Sequence, residues 1–410
     1  MPSSVADAVI ALAQALVPLR ALVAIGLGAA AYWLIPARLR QLALLVISLL
    51  VIVLGYQRSL WLVIGVVGVG TLTYLAARRG VSRRITIGGL VALYTVLHAL
   101  FGLLMFTPWL EWTGVSPYAV LPTIGLTVAF TFLRLVHFAA DYTASSQQLA
   151  ERVTPCLLTF WAWCLFFPTF VHLPLIRYPD WAQQFERPTH GPRFAELRTG
   201  MLRVGQGLLK GALVGAGYAV LNPFGVLLNP SQSSAAQFFG AALIAAVSYY
   251  IGFSAYVDIG IGAARFYGIV LPENFAPAWV MVRVSRMRDF WRNWNITVTR
   301  WLYDYVYLPL GGHRIAPVRN VMLTMIACGL WHSISIYGLL WGAGLGLLLI
   351  AEHGWNRLRI YRGVPEIQPW LRRVLLVCAL STINLALTPY GYDPHWGRYL
   401  YPLYWLGVGR

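Results

Sequence analysis

The sequence predicts an all-α polytopic membrane protein, and three observations predict it. Hydrophobic residues make up 59% of the 410-residue chain and charged residues only 11%, against about a quarter charged in ordinary globular domains. Several apolar runs exceed the roughly 18 residues that suggest a membrane-spanning helix. Basic side chains collect in short loops between those runs, as orientation in a bilayer demands.

The runs come in this order: 9–35 (interrupted by Pro18 and Arg20), 42–56, 61–77, 85–106, 120–140, 157–176, 204–228, 238–263, 321–350 and 374–387, then a short Trp/Tyr-rich tail at 396–405. They predict about ten or eleven membrane segments in one membrane-embedded domain. Residues 1–143 supply N-terminal helices and 144–410 the region that carries the chemistry. The start, 1–14, lacks the basic flank of a cleavable signal peptide. Arg38 and Arg40 precede the second run, and Arg78, Arg79, Arg83 and Arg84 lie between the third and fourth, whereas the loop after the fourth carries Glu111 and no Arg. The positive-inside rule then puts the Arg78–Arg84 loop in the cytoplasm, and the Trp109–Trp112 loop and the N-terminus outside.

Net charge is +17. In a soluble protein that would suggest nucleic acid; here the cations lie in the loops, so nucleic acid is not expected as a partner and the lipid bilayer is. Lys210 is the sole lysine. The four cysteines, Cys156, Cys164, Cys328 and Cys378, show no metal-type spacing and are expected to be small buried residues. A P-loop and an H-E-x-x-H pair are also absent, so no metal is expected.

Two stretches break the apolar pattern, 177–203 and 264–319. Polar or irregular backbone at membrane depth needs protein or water around it, which predicts interfacial or re-entrant helices there. Within the second lies MRDFWRNWNITVTRWLYDYVYLPLGG, from Met287 to Gly312. Phe290, Trp294, Val298, Trp301 and Tyr305 follow helical spacing and predict one aromatic face, with Arg288, Arg292, Asn295 and Thr299 on another. Pro309 and Gly311-Gly312 stop that helix. An amphipathic interfacial helix accounts for the pattern, and Asn295, at its centre, can hydrogen-bond an acyl group or a hydroxyl.

In 321–350, VMLTMIACGLWHSISIYGLLWGAGLGLLLI, His332 is the sole residue of the Asp, Glu, His, Lys and Arg set. As one helix this run would span roughly 45 Å, with His332 well inside. Ionisable groups at that depth are costly and default to functional hypotheses, and imidazole suits proton transfer near neutral pH. The bland alternative is a hydrogen-bonded core histidine with Ser333 or Ser335 as partner. Other intramembrane polar groups are Arg134, His137, Asp141 and Asp258. Asp258 sits among small residues that allow close helix packing, and pairing with an Arg is expected. His172 and Arg177 flank FFPTFVHLPLIRYP, where they line a mouth or snorkel.

Three blocks, GFSAYVDIGIGAARFYGIVLPENF, RDFWRNWNITVTRWLYDYVYLPLGG and GLWHSISIYGLLWGAGLG, resemble in order and spacing the membrane-bound O-acyltransferase family, across roughly residues 240–350. The resemblance is closer to its bacterial branch, which acetylates alginate or D-alanylates teichoic acid. It implies a ring of tilted helices around a central tunnel in the bacterial inner membrane. His332 then takes the catalytic position. Asn295 stands where bacterial relatives usually place His and eukaryotic ones commonly place Asn. Trp331, Asp289, Trp291, Arg292, Trp294, Asp304, Tyr305 and Ser333, from the same blocks, are expected to bind substrate or support the motif. His172-Leu173-Pro174-Leu175 replaces a Gly-Pro-Ile-like sequence of bacterial relatives.

The implied reaction is transfer of an acyl group, acetyl first, onto a hydroxyl of a cell-envelope polysaccharide or to a relay acyltransferase. The donor is an acyl-CoA or acyl-carrier thioester used as co-substrate, with no tightly bound cofactor. D-alanyl transfer from a small acyl carrier protein is the alternative within the enzyme class. A transporter or flippase is the alternative outside it, since broken helices and buried charges mark those too, and a secretion scaffold is a third.

Overall fold

The computed structural model describes residues 19–55, 60–105, 117–142, 156–171, 174–186, 191, 193–221, 226 and 234–387. The Trp109–Trp112 loop, His172, the 1–14 start and the 396–405 tail lie outside them. Every regular element among the described residues is helical. Among the described residues, two helices are long and apolar enough to cross a bilayer by length and composition, Ala37–Gly55 and Ala236–Arg265. The ten or eleven expected membrane segments are more than these two. Some apolar runs are broken into short helices, and some long helices carry charge, as Phe194–Leu221 does with Glu196, Arg198, Arg203 and Lys210.

The chain forms two compact units, one from Met1–Gly215 with Phe253–Glu273 and the other from Ala216–Gly252 with Asn274–Arg410. In the first, α1 (Leu19–Leu34) packs on α2 (Arg40–Gly55), while α3 (Leu60–Arg78) and α4 (Arg83–Met105) pack on α5 (Pro117–Tyr142). The apolar run 157–176 is not one span. It makes α6 (Leu157–Cys164) and the single turn α7 (Phe167–Phe170), which starts with a proline, Pro168. Residues 174–177 are non-helical before α8 (Tyr178–Glu186). Each break leaves backbone carbonyls without helical partners. Arg134 of α5 supplies them: Nη1 donates to the Cys164 carbonyl (3.1 Å) and Nη2 to the Phe170 carbonyl (2.8 Å). Arg134 is itself buried, in a unit whose fully buried side chains include Phe130, Phe138, Phe160, Trp163, Phe166 and Phe170. A cation is favourable at helix C-termini, which explains an Arg in an aromatic core.

Helices α9 (Phe194–Leu221) and α10 (Ala235–Arg265) run through both units. Within the first unit they approach closely through glycine. A methyl on Gly262 would sit 2.6 Å from the Gly200 carbonyl oxygen, and one on Gly207 2.6 Å from that of Ala255. Asp258 is buried there. Arg203 Nε lies 2.9 Å from its Oδ1 and Lys210 Nζ 2.7 Å from its Oδ2, with Lys210 also donating to Ser254 Oγ at 3.1 Å. The expected Arg partner is present, and the sole lysine joins it. Arg203 and Lys210, seven residues apart, share a helix face. The end of the first motif block is tied to α1, since Tyr267 Oη donates to the Ile25 carbonyl (2.9 Å) and Trp33 Nε1 to that of Phe266 (2.8 Å).

In the second unit, after the short α11 (Ala278–Met281), the segment expected as one aromatic-faced helix is instead α12 (Met287–Asn293), α13 (Ile296–Leu302) and a π-helical stretch at Tyr303–Tyr307. The break falls at Trp294, which is extended, and Asn295, which is left-handed at φ 49°. The stop at the glycines holds: Gly311 and Gly312 take φ 107° and 56°. Asn320, fully buried, closes that turn by donating to the Gly312 (2.9 Å) and Ile315 (2.6 Å) carbonyls.

The run 321–350 is not a single helix either. Helix α14 (Pro317–His332) ends at His332, and α15 (Ile336–Arg362) begins four residues later, with Ser335 Oγ accepting from Gly338 N. The two helices fold back as an antiparallel hairpin, and glycines fix their approach. A methyl on Gly338 would overlap the Ser333 carbonyl oxygen, and one on Gly329 would fall 2.8 Å from Gly342 N. One on Gly346 would lie 2.9 Å from Met322 Sδ. Helix α16 (Pro369–Leu387) packs on α15. Of the cysteines, Cys164 and Cys328 are buried as expected, while Cys156 and Cys378 are exposed.

Candidate functional site

The second unit holds the second and third motif blocks, the second broken at the left-handed Asn295. Asn274, fully buried at the end of the LPEN stretch, holds that break from outside the helix. Its carbonyl accepts from Ile296 N (2.9 Å), and its Oδ1 accepts from Thr297 N (3.0 Å) and Thr297 Oγ1 (2.6 Å). Its Nδ2 donates to Asn295 Oδ1 at 3.2 Å. Ala276 N donates to the Asn293 carbonyl (2.9 Å). Asparagine suits this position because its short amide tolerates left-handed backbone. Asn295 itself is 5% exposed, and its Nδ2 makes no hydrogen bond among the described residues.

Trp294 turns into an aromatic cluster, stacked on Phe290 (5.6 Å, 16°) and edge-on to Phe275 (5.1 Å, 77°). Phe290 and Trp291 pack against buried Met287, Met325 and Leu345, which draws the short motif helix onto the hairpin. Its N-terminus is held by Glu352 of α15, whose Oε2 accepts from Met287 N at 2.6 Å. Arg286, just before, donates to Glu366 (2.8 Å), and Arg372 pairs with the same carboxylate. Arg286, then Arg372 and Arg359, hold the Glu366 carboxyl below its ordinary range, and Glu366 raises the Arg286 guanidinium.

His332 stands at the hairpin turn, exposed, as the last residue of α14. Trp331 and Trp341 flank its ring at centroid distances of 4.4 and 5.0 Å. Neither serine serves it, because Ser333 Oγ and Ser335 Oγ bond each other at 2.8 Å. His332 and Asn295 both lie in the second unit, and no hydrogen bond joins them among the described residues.

The remaining sequence-derived residues divide. Trp291, Trp294 and Trp331 pack within this unit. Arg292 is exposed on α12, Asp289 is half-buried with Arg288 at 3.9 Å, and Asp304 and Tyr305 fall in the π-helical stretch. Among the described residues no three His, Cys, Asp or Glu side chains converge in a metal-binding group. Sequence reasoning missed Asn274, Glu352 and Trp341. Only the hairpin had a readable signal, glycine at every fourth position from Gly338 through Gly342 to Gly346.

Residues 61–390 match the membrane-bound O-acyltransferase family. A probable alginate O-acetylase AlgI of Azotobacter vinelandii is 30% identical over 372 residues, 84% of this chain and 70% of that protein. The protein of the same name in Pseudomonas syringae is 30% identical over 62% of this chain, an alignment that spans about half (48%) of the relative's own length. A peptidoglycan O-acetyltransferase of Helicobacter pylori is 28% identical over 64% of this chain and 53% of its own length. A teichoic acid D-alanyltransferase of Streptococcus thermophilus is 24% identical over 48% of this chain and 50% of its own. With the family match covering most of the chain, this helical protein belongs to the membrane-bound O-acyltransferase family.

Proposed function

We propose that this chain is a multi-pass enzyme of the bacterial inner membrane that transfers an acyl group, acetyl first, from a cytoplasmic thioester to a hydroxyl of a cell-envelope polysaccharide. The observation that carries the reading is the exposed residue His332 at the hairpin turn, its ring without a hydrogen bond among the described residues, inside the family's matched region. The names of the alginate and peptidoglycan relatives support acetyl as the group and an envelope polymer as acceptor. Ten or eleven membrane segments around a central tunnel would let donor and acceptor meet from opposite faces.

His332 acts as general base. A ring nitrogen takes the proton of the acceptor hydroxyl as its oxygen attacks the thioester carbonyl carbon. The C–S bond then breaks, an ester forms, and the thiolate leaves with the proton that the imidazole returns. Such base catalysis is worth about 100- to 10,000-fold. Asn295 Nδ2, which makes no hydrogen bond among the described residues, is an amide donor suited to the acyl carbonyl or the acceptor. Asp289, Arg292 and Asp304 hold the motif segments rather than react.

The test compares envelope polymers by mass spectrometry from cells with the wild-type gene, without it, and with His332→Ala, after confirming that the variant accumulates folded in membranes. O-acetyl esters present only with wild type support the reading. Full ester content with His332→Ala removes the mechanism. D-alanyl esters in place of acetyl would select the second reading, which the Streptococcus relative favours.

A further inference from the structure

We infer that Trp341 is a positioning residue that fixes the plane of the His332 imidazole; this rests on the reading of His332 as the base. The terminal torsion of a histidine is broad, so rotation about it does not by itself set where the ring nitrogens point. Catalytic histidines usually solve this with a hydrogen bond to one nitrogen, which also sets the tautomer. No such bond reaches His332 among the described residues, and the two serines beside it bond each other, not the ring. What remains is packing. Trp331 lies at 4.4 Å and 57°, but it is the adjacent residue and moves with the same backbone. Trp341 comes from the opposite arm of the hairpin, at 5.0 Å and 73°, in the edge-on arrangement aromatic rings prefer.

Trp341 is itself held. It packs against the buried cluster of Met287, Met325 and Leu345, which also receives Phe290 and Trp291 of the motif helix. Gly338 and Gly342 on either side of it bring α15 onto α14, so the indole reaches His332 across a backbone approach that no larger residue would permit. The plane of the imidazole is thereby referred to the same packed cluster that anchors the motif helix. Both ring nitrogens stay open to the acceptor hydroxyl, which an orienting carboxylate would not allow.

The test uses the full chain in native membranes, with acetyl-coenzyme A as the donor probe and the host's envelope polysaccharide as acceptor. Trp341→Leu removes the flat ring, Trp341→Met keeps apolar bulk without one, and Trp341→Phe keeps a ring. A small displacement of a reacting group costs on the order of 100-fold, so kcat is expected to fall about 10- to 100-fold in the Leu and Met variants. KM and the melting temperature in detergent should stay close to wild type, and Trp341→Phe should recover most of the rate. Wild-type kcat in Leu and Met, with His332→Ala inactive, overturns the role of Trp341 and leaves the base assignment standing. An active His332→Ala overturns the base assignment itself. Failure of both Leu and Met variants to accumulate would mean that Trp341 serves the fold, and would equally overturn the positioning role.

Discussion

The Glu352 carboxylate accepts the backbone N–H of Met287 at 2.6 Å, so a side chain from one long helix caps a seven-residue helix whose sequence lies 65 positions away. A negative charge at a helix N-terminus satisfies an orphan donor and complements the helix dipole. Short helices have little cooperativity of their own and depend on such contacts. Glu352→Ala should therefore destabilise the second unit by about 1 kcal/mol. Glu352→Gln, which keeps an acceptor, should cost less. Melting in detergent across a salt series checks both, and Gln should show the weaker salt dependence because the charge is gone.

Asn295 carries left-handed backbone and a buried hydrogen bond to Asn274 at once. Asn295→Ala meets both costs, about 1–2 kcal/mol for the backbone and about 1–3 kcal/mol for the unpaired Asn274 amide. Asn295→Gly meets only the second. Ala should therefore melt below Gly. If Asn295 Nδ2 also serves the reaction, both variants lose turnover even where Gly still melts near wild type. Parallel thermal and acyl-transfer measurements separate the structural share from the chemical one.

Asp258 is a single buried carboxylate facing two cations on one helix. Asp258→Asn leaves Lys210 without its counter-charge and Arg203 with only the exposed Glu273. The expected loss is of order 3 kcal/mol, the low end for a broken buried pair, because both cations keep some exposure. Adding Lys210→Gln should recover part of it, since one uncompensated charge is removed. A double-mutant comparison of melting temperatures reads the coupling. Strict additivity would show that Lys210 and Asp258 do not interact.

Gly338 lies where a methyl would meet the Ser333 carbonyl and the Gly329 backbone, neither of which can rotate away. Gly338→Ala is expected to cost at least the 1–3 kcal/mol typical of overpacking and to shift the hairpin turn that presents His332. Gly354→Ala, on the same helix with open space beside it, is the control and should be neutral or slightly stabilising. Loss of acyl transfer in the first and retention in the second ties activity to hairpin geometry.

Read from composition and periodicity, the chain declares itself helical and suited to lipid, because those properties are sums over local sequence. The partner of Asp258 and the stop at Gly311-Gly312 follow from similarly local chemistry, a buried charge needing its opposite and a turn needing positive φ. The two misread segments show where local rules end. The aromatic spacing from Phe290 to Tyr305 suits an unbroken helix, yet Asn274, 21 residues upstream of Asn295, bonds the backbone on the far side of the break. The apolar run around His332 suits one long span, yet close glycine approach between its two halves folds it into a hairpin.

Local sequence set which residues are apolar, charged or able to bend, and so the class of the protein and the histidine proposed as its base. Only the tertiary structure decided where the helices break, and with that whether His332 lies deep in a rod or open at a turn. The reason is physical: helix propensity is set by neighbours in the chain, whereas the hydrogen bonds and interhelical contacts that interrupt a helix come from residues distant in it.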